Sequence, residues 1–535
     1  MRKTVGGVRG SALGSALVLL VAGCTAPEED AGAPDAGSVE WAPCLFEEEL
    51  DEAPEWGGDP DWLQDLECGT VAVPLDHADP DGSTVELALT RRPAGGSAGE
   101  RIGSLVLNPG GPGESGVAML DHPLFDEQIQ DAFDLVGFDP RGVGESEGIA
   151  CGDWYAMDEA RRAVTDPGDV TDADLAALEE SARAYADDCA ETVGEDFLAT
   201  MGTVNVVRDL DLLRGALGDE QLTFVGFSYG TYIGALYAEM FPENTRALVL
   251  DGAVETERPN VEVAADQADA FQAAWDLFVA ECLSGPGCPF SGSDAADAEM
   301  GELLDRLDAD PPVVRDMPVD GVTLLGMVSL QLYHEDAWAG LTEALAAMAE
   351  DPAQAGPELE RLYDDTYGPD EEPAQDGEPA PTGPEDSVAP GPEFGGPDTE
   401  AALTAVNCAD RVDPTDPEVY RDTAQRAAGD SPFFGTGLVW EQLPCAYWVD
   451  TEEAPTGFSA PDAPPILVIG TVGDPATPYT WAEELSDQLA TATLITYEGN
   501  GHTAYGYGMR CVDEAVDAYL LEGEVPEAGL SCPAW

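Results

Sequence analysis

The chain has 535 residues, with 107 Asp and Glu against 21 Lys and Arg, a formal net charge of −86. Such a surface repels phosphate backbones and anionic headgroups, which excludes nucleic-acid binding and electrostatic attachment to membranes. At 44% hydrophobic residues the chain is too apolar for a disordered acidic tail, and its four histidines argue against a multi-histidine metal centre.

In chain order, a basic start (Arg2, Lys3, Arg9) precedes an apolar run from Ala12 to Ala22, too short for a permanent span. It reads as an export signal over residues 1–23. Val21-Ala-Gly-Cys24 resembles the bacterial lipobox, which makes Cys24 the expected lipidation site and 24–40, rich in Ala, Pro, Gly and acids, a flexible tether. Setting Cys24 aside leaves an even number of cysteines, as expected of disulfides in an exported chain. Cys282–Cys288 is the natural local bridge, and sequential pairing of the rest gives Cys44–Cys68, Cys151–Cys189, Cys408–Cys445 and Cys511–Cys532.

From about residue 68, apolar strand-like runs alternate with helical patterns. The strands are expected at 69–73, 85–90, 104–107, 135–138, 222–225, 247–250, 466–469 and 493–497. Helices are expected at 172–191, 205–217, 231–240, 480–490 and 512–521. This alternation predicts an α/β protein with a largely parallel sheet covered on both faces. The alternation stops over 254–460, where Ala/Leu/Met-rich helices are expected at 263–282, 295–307 and 324–347. That stretch reads as a large, mainly helical cap inserted between a first core part, 41–253, and a second, 461–535. Within the cap, residues 367–400 hold eight prolines and many acids and read as a loose loop.

Gly226-Phe-Ser-Tyr-Gly230 lies between an apolar strand and an Ala-rich helix. Small residues on either side of Ser228 let strand and helix pack closely while the hydroxyl projects from a tight turn, as a nucleophile elbow requires. An activated serine needs a histidine oriented by a carboxylate. In α/β hydrolases these follow in the order serine, acid, histidine, which leaves His334, inside the cap, and His502, in Gly499-Asn-Gly-His-Thr503 after a strand. The second context is the stronger. Asp474 follows the strand at 466–469 and is the expected acid, with Asp251 its rival. The oxyanion donors are expected from the N–H of Tyr229 and of Gly111, in Asn108-Pro-Gly-Gly-Pro-Gly113.

Together these segments resemble the tripeptidyl-aminopeptidase branch of the α/β-hydrolase serine peptidases, relatives of the proline iminopeptidases. The matching pieces are Asn108–Gly116, Val136–Ser146, Gly226–Thr231, Ala405-Val-Asn-Cys-Ala-Asp410 and the stretch from Pro465 to Cys532. One departure is Val472-Gly473, which lengthens the turn before Asp474 by a residue. The resemblance implies the α/β-hydrolase fold and a secreted or surface exopeptidase that removes short peptides from free N-termini. The partners expected are peptide substrates, with no cofactor or metal, and the chain is expected to be a monomer. An esterase on the same machinery is the alternative, and a non-enzymatic lipoprotein the third reading. A substrate ammonium calls for carboxylates beside the cleft, and Glu255, Glu257, Glu335 and Asp336 are no better marked than other cap acids.

Overall fold

The computed structural model describes residues 37–535 apart from 46–49, 51–58, 98, 165–166, 316, 353–354, 368–396, 453 and 535. The export signal, Cys24, most of the tether and most of the acidic loop lie outside the described residues.

The core is a single sheet built from β1 (Ala42–Pro43), β2 (Glu67–Pro74), β3 (Thr84–Arg92), β4 (Gly103–Asn108), β5 (Phe133–Phe138), β6 (Leu222–Phe227) and β7 (Thr245–Asp251). After a helical stretch holding the short pair β8 (Val313–Val314) and β9 (Met317–Pro318), it resumes with β10 (Ile466–Gly473), β11 (Ala492–Asn500) and β12 (Leu530–Cys532). The order is β1-β2-β3-β5-β4-β6-β7-β10-β11-β12. The first three strands pair antiparallel, and from β5 to β12 every neighbouring pair is parallel. Residues of β6 alternate between two apolar layers, Phe224 on one face with Ile233 and Leu236, Val225 and Phe227 on the other with Ile469 and Tyr505. Both faces are therefore covered, as a parallel sheet demands.

Between β7 and β10 the helices Asn260–Ser284, Ser293–Ala309, Gly321–Leu332 and Trp338–Glu350 share an apolar core of their own, around Trp275, Phe278, Met300, Leu324, Trp338 and Leu341. The single helix expected over 324–347 is instead two, broken at 333–337, where His334 is extended (φ −134°, ψ 116°). No proline or glycine marks the break. The carbonyl of Tyr333 is turned over to a contact outside the cap, described below, and tertiary bonding overrides the local helical preference. The strand β12 was not expected from the sequence. It has three residues and is tied to the helix Arg510–Glu522 by the Cys511–Cys532 disulfide. The other bridges are Cys44–Cys68, Cys151–Cys189, Cys282–Cys288 and Cys408–Cys445, so all ten described cysteines pair with their sequence neighbours.

Candidate active site

The parallel strands deliver their C-terminal ends to one edge, where loops of an α/β sheet assemble sites. Asn108 at the end of β4 pairs with Gly226 of β6, and Phe227 pairs with Asp251 at the end of β7. Asp251 in turn faces Ile469 of β10, and Gly473 faces Asn500 of β11. Five loop departures thus lie side by side: the glycine loop, the Ser228 turn, the Asp251 turn, the Asp474 turn and the His502 turn.

Ser228 has φ +52°, a conformation that costs a non-glycine residue roughly 1–2 kcal/mol and that the surroundings must enforce. Its N–H donates to the Asp251 carbonyl at 2.8 Å, and its own carbonyl accepts from Thr231 N (2.9 Å) and Thr231 Oγ1 (2.6 Å). The flanking glycines are sterically required. A Cβ on Gly226 would stand 2.2 Å from the Gly230 oxygen, and one on Gly230 2.8 Å from Asn108 Oδ1. The helix Gly230–Met240 starts directly behind the serine, placing its positive end there.

His502 Nδ1 lies 2.9 and 3.0 Å from the two oxygens of Asp474. The acid is 4% exposed and is itself held on both sides. Its Oδ1 accepts from Ala476 N (2.9 Å) and Thr477 N (2.8 Å), and its Oδ2 accepts from Thr477 Oγ1 (2.8 Å). Burial pushes the His502 imidazole down, but the charge and hydrogen bond of Asp474, with Asp251 behind, outweigh it and raise the pKa above the usual 6.5. With Nδ1 engaged, Nε2 is left for a reacting group. Among the described residues no hydrogen bond joins Ser228 to His502 directly, and catalytic bonds of this kind often tighten only with substrate bound. The lengthened turn coincides with a register shift, in which β10 runs from Thr471 to Gly473 while β11 runs from Tyr497 to Asn500.

The helical stretch between β7 and β10 reaches this loop. Its interrupted helix directs the Tyr333 carbonyl at the His502 N–H (2.8 Å), sets the Tyr333 ring edge-on to the imidazole at 5.1 Å, and lets Glu335 accept from Asn500 Nδ2 at 3.0 Å. His334 is exposed, its ring lies beside Tyr507, and it makes no hydrogen bond to Ser228 or Asp474 among the described residues.

The Tyr229 side chain is buried, its hydroxyl 2.5 Å from Thr203 Oγ1, which donates to Asp410 at 2.6 Å. Asp410 closes the Ala405–Asp410 segment and so ties the cap to the elbow. In the glycine loop, Gly110 makes the closest approach to the elbow: a Cβ there would stand 2.8 Å from Ser228 Cβ and 3.2 Å from Tyr229 N. Gly111, the residue singled out from the sequence, follows it with φ +97° and carries the next N–H.

Of the four cap acids considered, Glu255 is spent on Arg411 (3.1 Å) and the N–H groups of Glu257 and Arg258, while Glu257 is exposed. Glu335 holds Asn500, and Asp336 is exposed. Sequence reasoning missed two others. Glu114, next to the glycine loop, and Glu400, on the helix Pro397–Asp410 that packs against Gly113, have no hydrogen-bond or ion-pair partner among the described residues. Burial pushes Glu114 up to about 7. Burial, then the charges of Glu441 and Glu114, opposed by Arg161, bring Glu400 to about 7. Tyr333, over the imidazole, feels the charges of both Asp474 and Glu114.

Two family descriptions match: "alpha/beta hydrolase fold" over residues 103–340 and "TAP-like protein" over 431–532. Serine protease Hip1 of Mycobacterium tuberculosis is 35% identical over 513 residues, covering 92% of this chain and 91% of that one. A Mycobacterium tuberculosis protein named carboxylesterase B is 35% identical over 515 residues, covering 93% and 92%. Tripeptidyl aminopeptidase of Streptomyces lividans is 32% identical over 479 residues, covering 87% and 83%. With likeness of that extent along nearly its whole length, this chain belongs to the TAP-like serine peptidases of the α/β-hydrolase superfamily.

Proposed function

We propose that the chain is an exported exopeptidase that releases di- or tripeptides from free N-termini through an acyl-enzyme. The carrying observation is the hydrogen-bonded Asp474–His502 pair beside the strained Ser228 turn. In this reading His502 Nε2 takes the Ser228 proton as Oγ attacks the scissile carbonyl. The resulting oxyanion is held by the N–H groups of Tyr229 and Gly111. The imidazolium, stabilised by Asp474, then protonates the leaving amine, and water repeats the sequence to free the acyl peptide. Glu114 and Glu400 receive the substrate ammonium. Burial leaves Glu114 without a compensating charge and Glu400 with only the nearby Arg161, a deficit that a substrate cation would relieve. The Streptomyces relative's name, tripeptidyl aminopeptidase, supports the same direction.

The chain works outside the cytoplasm, with 1–23 removed, Cys24 lipidated and 24–40 as tether. Five disulfides support an oxidising compartment, and among the described residues no helix is long and apolar enough to cross a membrane. The segment 254–460 acts as a cap over the cleft, between core parts 41–253 and 461–535.

An esterase remains the second reading, favoured by the relative named carboxylesterase B. Free-amine tripeptide anilides, their N-acetylated forms and simple aryl esters, assayed side by side, separate the two. Turnover of the free-amine anilides supports the exopeptidase. Turnover of esters alone overturns it.

A further inference from the structure

Two carboxylates stand behind His502, and only one of them touches its ring. The other, Asp251, ends β7 with 0% exposure. Its backbone carbonyl accepts the Ser228 N–H at 2.8 Å. Its Oδ2 accepts the N–H groups of Ala504 (2.9 Å) and Tyr505 (2.7 Å), two and three residues beyond His502. Its Oδ1 has no partner. The next residue, Gly252, donates to the Ile469 carbonyl of β10 at 3.1 Å and lies flat against the base. A Cβ there would stand 3.2 Å from His502 Cε1 and 2.9 Å from Thr503 Cγ2.

A carboxylate in this position is expensive. A buried charge with an unsatisfied oxygen costs more than the hydrogen bonds it makes return, and a neutral acceptor of the same shape would hold the same two N–H groups. Burial pushes Asp251 up to about 7, the two N–H bonds and His502 pull it back, and Asp474 pushes it further up. The charged groups facing it are therefore His502 and Asp474, while His502 also faces Tyr333 and, more remotely, His334 from the cap. Asp251 is not a second triad acid, because Nδ1 already lies on Asp474. What it spans is the gap between the nucleophile and base loops, which share no direct hydrogen bond among the described residues.

We propose that Asp251 is a positioning residue of the catalytic machinery, bracing the Ser228 turn with its backbone carbonyl and the His502 loop with its side chain. The inference rests on the assignment of Ser228 and His502. Its loss lets the two loops drift, and a misplacement of about 1 Å can cost about 100-fold in rate.

The test uses the intact disulfide-bonded chain with Asp251→Ala and Asp251→Asn, beside Ser228→Ala. Asp251→Ala is expected to lose about 30- to 100-fold in kcat with KM within about threefold, and fluorophosphonate labelling is expected to slow in parallel. Asp251→Asn keeps an acceptor for both N–H groups and is expected to recover to within about fivefold of the parent. It also removes a negative charge facing the imidazolium, so its acid limb of kcat/KM moves to lower pH. Asp251→Ala with unchanged kcat and labelling overturns the proposal, as does a folded Asp251→Asn as impaired as the alanine variant. If the alanine variant fails to fold, Asp251→Ser, whose shorter side chain cannot reach both N–H groups, takes its place, and unchanged kcat and labelling in it overturn the proposal. Activity surviving in Ser228→Ala is a different failure, that of the active-site assignment itself.

Discussion

Replacing Glu114 by Gln separates what a residue does for the fold from what it does for the substrate. Burial holds its carboxyl at about 7 against 4.5 for an unperturbed glutamate. The folded state therefore binds the proton more tightly than the unfolded state. The wild-type chain is relieved of this cost below pH 4.5 and bears all of it above pH 7. A shift of that size corresponds to roughly 3 kcal/mol, since each pKa unit is about 1.4 kcal/mol. Gln does not titrate, so Glu114→Gln is expected to match the parent near pH 4.5 and exceed it by up to about 3 kcal/mol at pH 8. Part of the gain comes from Glu400, which no longer faces a neighbouring charge. Urea unfolding of the oxidised protein at the two pH values reads the difference directly. The same variant loses a charge-assisted contact to the substrate ammonium, about 1.5–3 kcal/mol, so KM for free-amine tripeptide anilides rises about 10- to 100-fold. Turnover of small esters lacking an amine stays unchanged. A variant no more stable than the parent at pH 8 refutes the reading of Glu114 as an uncompensated charge. An unchanged KM for free-amine substrates refutes its part in binding them.

Other outcomes follow from the same geometry. Asp474→Asn leaves the turn bonds from Ala476 and Thr477 in place but favours the wrong imidazole tautomer, so kcat falls by about 10⁴ with a folded circular-dichroism spectrum. In the parent, the acid limb of kcat/KM lies above pH 6.5, because Asp474 and Asp251 raise His502, and a pH–rate profile tests it. Gly226→Ala places a methyl against the Gly230 oxygen, and fluorophosphonate labelling is lost even where the protein is recovered. Opening the 38-residue Cys151–Cys189 separation by Ser substitution costs about 4 kcal/mol by chain entropy, and the six-residue Cys282–Cys288 separation about 2 kcal/mol. Thermal midpoints ranked the other way would refute this chain-entropy ranking.

The elbow was legible because its chemistry is local. A serine flanked by glycines, between an apolar strand and an Ala-rich helix, already describes a tight turn, and steric contacts at Gly226 and Gly230 are its direct expression. Asp474 and His502 were legible by their order after strands. The cysteines were legible because neighbours in sequence close small loops. The break at 333–337 was not, because nothing in Leu-Tyr-His-Glu-Asp-Ala stops a helix; the demand comes from the His502 N–H, far along the chain. Glu114 and Glu400 were invisible among 107 acids, since being unpaired is a property of surroundings and not of residue type. Asp251 reads in the sequence only as a rival of Asp474 for one role, whereas its bonds run to backbone groups that no motif records.

The bond from the His502 N–H to the Tyr333 carbonyl has a bearing on how such a protein can be altered or inherited. The insertion between β7 and β10 looks like a module to be trimmed away or exchanged for that of another hydrolase. Its turn nevertheless supplies the acceptor for the His502 backbone N–H, and Glu335 fastens Asn500, two residues before it. A version without that stretch would lose the acceptor that seats His502. Chimeras should therefore cross over so that the turn around Tyr333 and the loop around His502 come from the same parent.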